Sequence, residues 1–135
     1  MKITDLINKK SVDLNLPPND KAKTIDAMVD LMNKGGNLNN KNEYKEAIIA
    51  RENLSTTGIG EGVAIPHAKS KAVDKAALAA AVSKEGVDYE SFDGSLANLI
   101  FMIAAPEGAN DTHLEVLSRL STILMDEEFR SNLLN

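Results

Sequence analysis

Three side chains in this 135-residue chain combine into one chemistry: its only two histidines, His67 and His113, and Arg51. His67 follows Pro66, whose fixed φ and missing N–H stiffen the approach, and both come after a glycine-rich loop and the short apolar run Val63-Ala64-Ile65. His113 comes just after Asp111-Thr112, where a helix N-terminus is expected, and first-turn N–H groups there favour a nearby anion. A neutral imidazole, with an ordinary pKa of about 6.5, is a usable nucleophile at neutral pH. Serine would first need a general base. A phosphoryl group passing between two histidines crosses a loose transition state with charge spread over three oxygens, so alignment and positive or donating groups supply the catalysis. Arg51 suits that charge, because its guanidinium is always protonated and presents a planar fork to phosphate oxygens. Each residue taken alone also has a plain structural reading, the histidines as hydrogen-bonded surface groups and Arg51 as a cation at the negative end of a helix.

Other chemistries fit less well. Gly58-Ile59-Gly60-Glu61-Gly62-Val63 is not a dinucleotide fingerprint, since its sixth position is Val63 and it precedes a strand instead of opening a helix. There is no Walker A sequence. Two histidines and a carboxylate such as Asp111 can bind zinc in principle, but neither histidine belongs to an HExxH-like ligand pair, so no metal and no cofactor is expected. Glu127 and Glu128, adjacent on an expected helix, splay around its axis and read as solvent-facing charge. The absence of cysteine removes disulfides, thiolate zinc sites and thiol nucleophiles, and fits a reducing cytosol. A net charge of -5 without a cluster of lysines and arginines argues against nucleic acid. The Lys9-Lys10 pair and the lysines from Lys69 to Lys75 read as solvated surface. The N-terminus lacks the apolar core of a signal peptide, and no apolar run approaches the ~20 residues of a membrane span. A soluble, cytoplasmic protein is expected, with no membrane insertion.

The elements that position these residues follow from periodicity. With 43% hydrophobic residues, 4% aromatic and no Trp, the chain suits one core of Leu, Ile, Val, Ala and Met, burying roughly two-thirds of its unfolded surface. Ser11 to Leu16 alternates, placing Val12, Leu14 and Leu16 on one face of a strand that Pro17-Pro18 stops. Asn19 or Asp20 then caps a helix whose Ile25, Met28, Val29 and Met32 form one stripe, ended by Gly35-Gly36. Asn40 and Glu43 make a capping box for a second helix, with Tyr44, Ala47, Ile48 and Arg51 on one face. Around Gly58 to His67 the pattern reads loop, short strand, loop. Ala76 to Val82 is ambiguous, alanine favouring helix and length favouring strand, and strand is preferred. Leu99 to Ala104, ended by Pro106, is a central strand covered on both faces. A helix with Leu114, Leu117, Leu120, Ser121 and Leu124 buried begins at Asp111, and a short one follows from Asp126. Together these predict an α/β fold: a single domain over residues 1–135, with a mixed β-sheet flanked by helices on both faces.

The run Arg51-Glu52-Asn53-Leu54-Ser55-Thr56-Thr57-Gly58-Ile59-Gly60-Glu61-Gly62-Val63-Ala64-Ile65-Pro66-His67 closely resembles the signature of the fructose/mannitol-type enzyme IIA (EIIA type-2) family of the bacterial phosphoenolpyruvate-dependent sugar phosphotransferase system. A second match runs from Asp93-Gly94 through Leu99 to Pro106 and on to His113-Leu114, Leu117 and Leu120, so nearly the whole chain is covered. The resemblance implies a mixed sheet flanked by helices and a phosphotransferase component. It implies that His67 is phosphorylated by the phosphocarrier HPr, that His113 assists in phosphoryl stabilisation, and that Arg51 lies near the site for charge stabilisation. Family members often continue for several residues beyond the equivalent of Leu134.

In fructose and mannitol systems, the resemblance further implies, the acceptor is a IIB domain or subunit that uses a cysteine, and a IIC membrane permease moves the sugar. This chain has neither the cysteine nor a membrane span, so it is expected to be the first relay only, as a separate subunit or an excised domain, with a shallow docking surface. Nitrogen-type IIA proteins share much of the motif and act as regulators that bind partners according to phosphorylation state. Thr56-Thr57 and Ala68 favour the fructose type. A non-catalytic interaction module with structural histidines is the remote alternative.

Overall fold

The computed structural model describes residues 7–54, 56–60, 62–107 and 119. A first strand, β1 (Ile7–Asp13), is followed by two helices, α1 (Lys21–Lys34) and α2 (Lys41–Glu52). Five strands follow: β2 (Gly58–Gly60), β3 (Val63–Ala64), β4 (His67–Ser70), β5 (Ala77–Val87) and β6 (Ala97–Pro106).

Side chains start both helices. Asp20 Oδ1 accepts the Lys23 N–H at 2.9 Å, and Asn40 Oδ1 accepts the Glu43 N–H at 3.1 Å, satisfying donors the helices leave unpaired. Gly36, at φ +83, takes the left-handed conformation that turns the chain away from α1. Ile25, Met28, Val29 and Met32 are all buried, as their spacing requires. Tyr44 and Ile48 of α2 are buried too, with Ala47 and Arg51 half-buried beside them.

The strands form one mixed sheet in the order β1-β5-β6-β3-β2, with β4 also paired to β6. β5 and β6 are antiparallel, whereas β1 runs parallel to β5, and β3 and β4 run parallel to β6. β3 and β4 lie end to end along one edge of β6. Val63 and Ala64 pair with Leu99 and Ile100, then His67 to Ser70 pair with Ile103 to Pro106, with no slip in register between them. Pro66 has no N–H to give this ladder, and its carbonyl instead accepts the Ile103 N–H at 2.9 Å.

Both strand expectations in the second half hold: β5 contains the alanine-rich segment, and β6 is the central strand. Period two sorts their side chains. Ala77, Ala79 and Ala81 share one core with Met28, Met32, Tyr44, Ile48, Ile100 and Met102, while Leu78, Leu99 and Ile103 pack with Val63 and Ile65 on the opposite face. The Tyr44 hydroxyl donates to the Ile103 carbonyl at 2.9 Å within the first core. Burial pushes that phenol far above its ordinary pKa.

Elsewhere the structure departs from the sequence pattern. Val12, Leu14 and Leu16 do not share a strand face: β1 ends at Asp13, Ser11 is buried, and Leu14 is 63% exposed. Asp13 Oδ1 accepts the Asn15 N–H at 2.9 Å, an Asx turn that breaks the extended backbone before Leu16 re-enters the core. His67 lies in a strand and not in a loop, because β4 continues the β3 ladder. Helices α1 and α2 both contribute to the core on the face that carries Ala77, Ala79 and Ala81. The helices expected from Asp111 and Asp126 lie outside the described residues except for Arg119, which is helical. No helix among the described residues is long and apolar enough to cross a membrane.

Candidate functional site

His67 opens β4 and is half-buried. Its Nδ1 lies 2.8 Å from the carbonyl oxygen of Ile65. A carbonyl only accepts, so Nδ1 carries the hydrogen and the neutral ring keeps its lone pair on Nε2. Burial pushes the imidazole pKa below its usual value and the Arg51 charge pushes the same way, against the Ile65 hydrogen bond and the Glu52 carboxylate. The net direction is down, so the ring is held neutral at pH 7.

Arg51 sits in the last turn of α2, a helix that packs on β4. It lines a shallow cleft of about 320 Å³ together with His67, Ala47, Ala50, Leu54 and Lys69. Two of the three sequence-predicted residues are therefore brought to one cleft. The third, His113, lies outside the described residues. Leu54 stands at the rim, 81% exposed.

The glycines upstream of His67 form a tight hairpin, β2 pairing antiparallel with β3. Its backbone approaches the β5–β6 connection closely: the Phe92 N–H donates to the Gly58 carbonyl at 2.9 Å, and a Cβ on Gly58 would lie 2.9 Å from Ser91 Cα. Gly60 faces two obstacles to a side chain. Its φ is +93, and a Cβ there would lie 2.6 Å from Asp93 Oδ2. The Asp93 carboxylate is pinned by hydrogen bonds from Ser95 N–H at 2.9 Å and Ser95 Oγ at 2.6 Å, so it yields poorly. Gly60→Ala should therefore destabilise the fold by roughly 1–3 kcal/mol, read as a lowered midpoint in urea unfolding. An unchanged midpoint would show that the hairpin relaxes freely.

Sequence reasoning missed Glu52. This carboxylate ends α2, is buried, and collects four donors from three parts of the chain. Oε2 accepts the Thr57 N–H at 3.1 Å and pairs with Lys21 Nζ at 2.8 Å; Oε1 accepts the Thr57 hydroxyl and, at 3.1 Å, the Tyr89 hydroxyl. Burial alone would raise its pKa, but the Lys21 and Thr57 donors outweigh burial and hold the carboxyl below the usual carboxylate range. Tyr89 is driven the other way, its phenol pushed far up by burial and by the neighbouring carboxylate. One signal for Glu52 was present in the sequence. A carboxylate in the last turn of a helix opposes the macrodipole, so it needs a compensating reason to be there.

A larger groove of about 510 Å³ lies between α1 and α2, lined by Lys21, Ile25, Asp26, Lys45, Glu52 and Glu90. It contains no histidine, and four of its five charged side chains pair as Lys45–Asp26 and Lys21–Glu52. The smaller cleft is the one lined by a histidine. Among the described residues no three His, Cys, Asp or Glu side chains gather as a metal site.

The family model described as phosphoenolpyruvate-dependent sugar phosphotransferase system, EIIA 2, matches residues 5–135. The fructose-specific EIIABC component of the phosphotransferase system of Bacillus subtilis is 58% identical over 134 residues. That match takes in 99% of this chain and 21% of the relative, so the chain spans about a fifth of that protein's length. Among solved structures, the nitrogen regulatory protein IIA-Ntr of Neisseria meningitidis has a TM-score of 0.90 at 31% identity, over 98% of this chain and 90% of that one. The mannitol enzyme IIA of Escherichia coli, determined in complex with phosphorylated mannitol enzyme IIB, has a TM-score of 0.81 at 27% identity, over 96% and 90% of the two chains.

Proposed function

This chain belongs to the EIIA 2 family of the phosphoenolpyruvate-dependent sugar phosphotransferase system, and on that premise we propose that it is a phosphocarrier in which His67 accepts a phosphoryl group from HPr and passes it to a IIB component for fructose-type sugar uptake. The observation that carries this reading is the held tautomer of His67 beside Arg51. With Nδ1–H committed to the Ile65 carbonyl, the lone pair that attacks is the one on Nε2. It forms the new N–P bond as the bond from phosphorus to the donor breaks, and the donor leaves with that bonding pair. The proton on Nδ1 stays where it is, so the ring needs no general base. Transfer to IIB reverses these steps on a new acceptor.

Arg51 stabilises the equatorial oxygens during both transfers, and His113 joins it in holding the phosphoryl group. The 58% identity to a fructose-specific relative supports the fructose assignment, as do Thr56, Thr57 and Ala68. The mannitol neighbour solved with a phosphorylated IIB supports a IIB acceptor. A IIC permease is then served only indirectly, and the carrier works in the cytoplasm. A second reading, a nitrogen-type regulator that binds proteins according to phosphorylation state, draws on the likeness to IIA-Ntr over nearly the whole chain.

The deciding experiment charges the protein with enzyme I, HPr and phosphoenolpyruvate, confirms by intact mass that one phosphoryl group is gained, and then presents fructose-type and mannitol-type IIB proteins. Transfer to the fructose-type acceptor should be fastest. A charged protein that discharges to neither acceptor favours the regulatory reading, and one that is never charged refutes the carrier.

A further inference from the structure

We propose that Glu52 is a positioning residue for phosphoryl transfer: from the rigid end of α2 its buried carboxylate fixes Thr57, and through Thr57 and Ile65 it fixes the orientation of the His67 ring. The proposal rests on His67 being the phosphoryl carrier.

The chain of contacts is short and continuous. Glu52 accepts both the N–H and the hydroxyl of Thr57. The Thr57 carbonyl accepts the Ile65 N–H at 3.0 Å, and the Ile65 carbonyl accepts Nδ1–H of His67 at 2.8 Å. Every link is a hydrogen bond, and two pass through backbone, so displacing Thr57 displaces the acceptor that sets the imidazole's tautomer and tilt. The segment between Glu52 and His67 needs such an anchor. It carries Gly58, Gly60 and Gly62, which offer little side-chain packing and much backbone freedom.

Glu52 is itself held from two further directions. Lys21, at the start of α1, pairs with it and lies 5.1 Å from the centroid of the Tyr89 ring, and Tyr89, beyond β5, donates its hydroxyl. Lys21 also donates to Thr56 Oγ1 at 3.3 Å, and Thr56 Oγ1 in turn accepts the Gly58 N–H at 3.1 Å and donates to the Tyr89 carbonyl at 3.2 Å. A buried ion pair of this kind is weak support for stability alone, since an apolar set of the same volume can hold a fold as well. What an apolar set lacks is direction. The Glu52 carboxylate specifies where the Thr57 N–H and hydroxyl must point.

The test compares wild type, Glu52→Gln, Thr57→Val and Thr57→Ser as full chains in phosphoryl transfer from phosphorylated HPr, with folding checked by circular dichroism. Glu52→Gln should lower kcat roughly 10- to 100-fold while KM for HPr changes less than about threefold, because the nucleophile is misaligned and the docking cleft is kept. Removing the carboxylate charge also leaves His67 facing Arg51 and Lys69 without its counterweight. The acid limb of the rate profile should therefore move to lower pH, a shift that general loosening of the fold does not produce. Thr57→Val deletes only the hydroxyl and should lower kcat by roughly 3- to 10-fold, with Thr57→Ser restoring it. If Glu52→Gln fails to fold, the valine and serine pair carries the test. Wild-type kcat in a folded Glu52→Gln or Thr57→Val overturns the positioning role. A wild type that gains no phosphoryl group overturns the carrier reading instead, so the two failures are told apart.

Discussion

His67→Ala is expected to gain no phosphoryl group under conditions in which the wild-type chain is fully charged. Loss should be complete, because the substitution removes the only imidazole among the described residues of the cleft, and no neighbouring lining residue substitutes for it: Ala47, Ala50, Leu54 and Ala68 are apolar, and Arg51 and Lys69 are basic groups suited to binding phosphate oxygens. The fold should survive. The contribution of His67 to β4 is its backbone, paired with Ile103, and loss of the side-chain bond to the Ile65 carbonyl costs about 1 kcal/mol. Intact mass spectrometry, with circular dichroism as the folding control, decides the matter. A charged alanine variant would refute the assignment of the nucleophile. The wild-type adduct should be lost in acid and survive in base, as a phosphoramidate does; the opposite pattern would indicate a hydroxyl or carboxyl ester.

The same site has a pH signature whose sign follows from its surroundings. Protonated imidazole has no lone pair to attack with, so the rate falls as pH drops through the folded-state pKa. Burial and Arg51 place that value below the usual histidine value, so the acid limb should lie below about 6.5. Charging should proceed undiminished from pH 8 down to pH 7.

Arg51→Ala is expected to slow transfer by roughly 100- to 1000-fold, the usual cost of losing one preorganised charge-stabilising group from a transferring phosphoryl group. Arg51→Lys should recover part of this and remain about tenfold slow, since an ammonium keeps the charge but loses the planar fork. Stability should change little, because a cation in the last turn of a half-exposed helix contributes about 0.3–1 kcal/mol. A second consequence separates charge from packing. Without the guanidinium, the His67 pKa should rise towards its ordinary value, and the acid limb of the rate profile should move up. Full-speed transfer in Arg51→Ala, with an unmoved limb, would leave Arg51 as a helix-end cation and nothing more.

The parts of the fold that were legible in the sequence are those in which one physical cause dominates. Caps at Asp20 and Asn40, and the stripe from Ile25 to Met32, depend on local geometry alone, and both helices came out where these signals put them. β6 was legible because a strand-length apolar run closed by Pro106 suits a strand covered on both sides. The less legible parts are those in which distant contacts decide. Leu14 alternates correctly with its neighbours, yet a local turn at Asp13 takes it out of the sheet. β4 looked like loop because the proline before it cannot donate to a ladder, and only the pairing with β6 makes the segment extended. The alanines of β5 favour helix intrinsically and are strand here because small side chains fit beneath the methionines of α1. At the site, His67 and Arg51 stood out by type and position. Glu52 did not, because its partners Lys21, Thr57 and Tyr89 come from three separate segments and meet only in the fold.

The unbroken register across Pro66 has a consequence for turnover. His67 is indexed to the central strand through the same ladder that carries Val63 and Ala64, and the Ile103 amide is spent on the Pro66 carbonyl between them. The backbone of the proposed phosphoryl acceptor is thus part of the scaffold. On the proposed role, such a carrier is expected to serve donor and acceptor in succession without a conformational cycle of its own. Its throughput is then governed by diffusional encounter and by how fast each spent partner lets go.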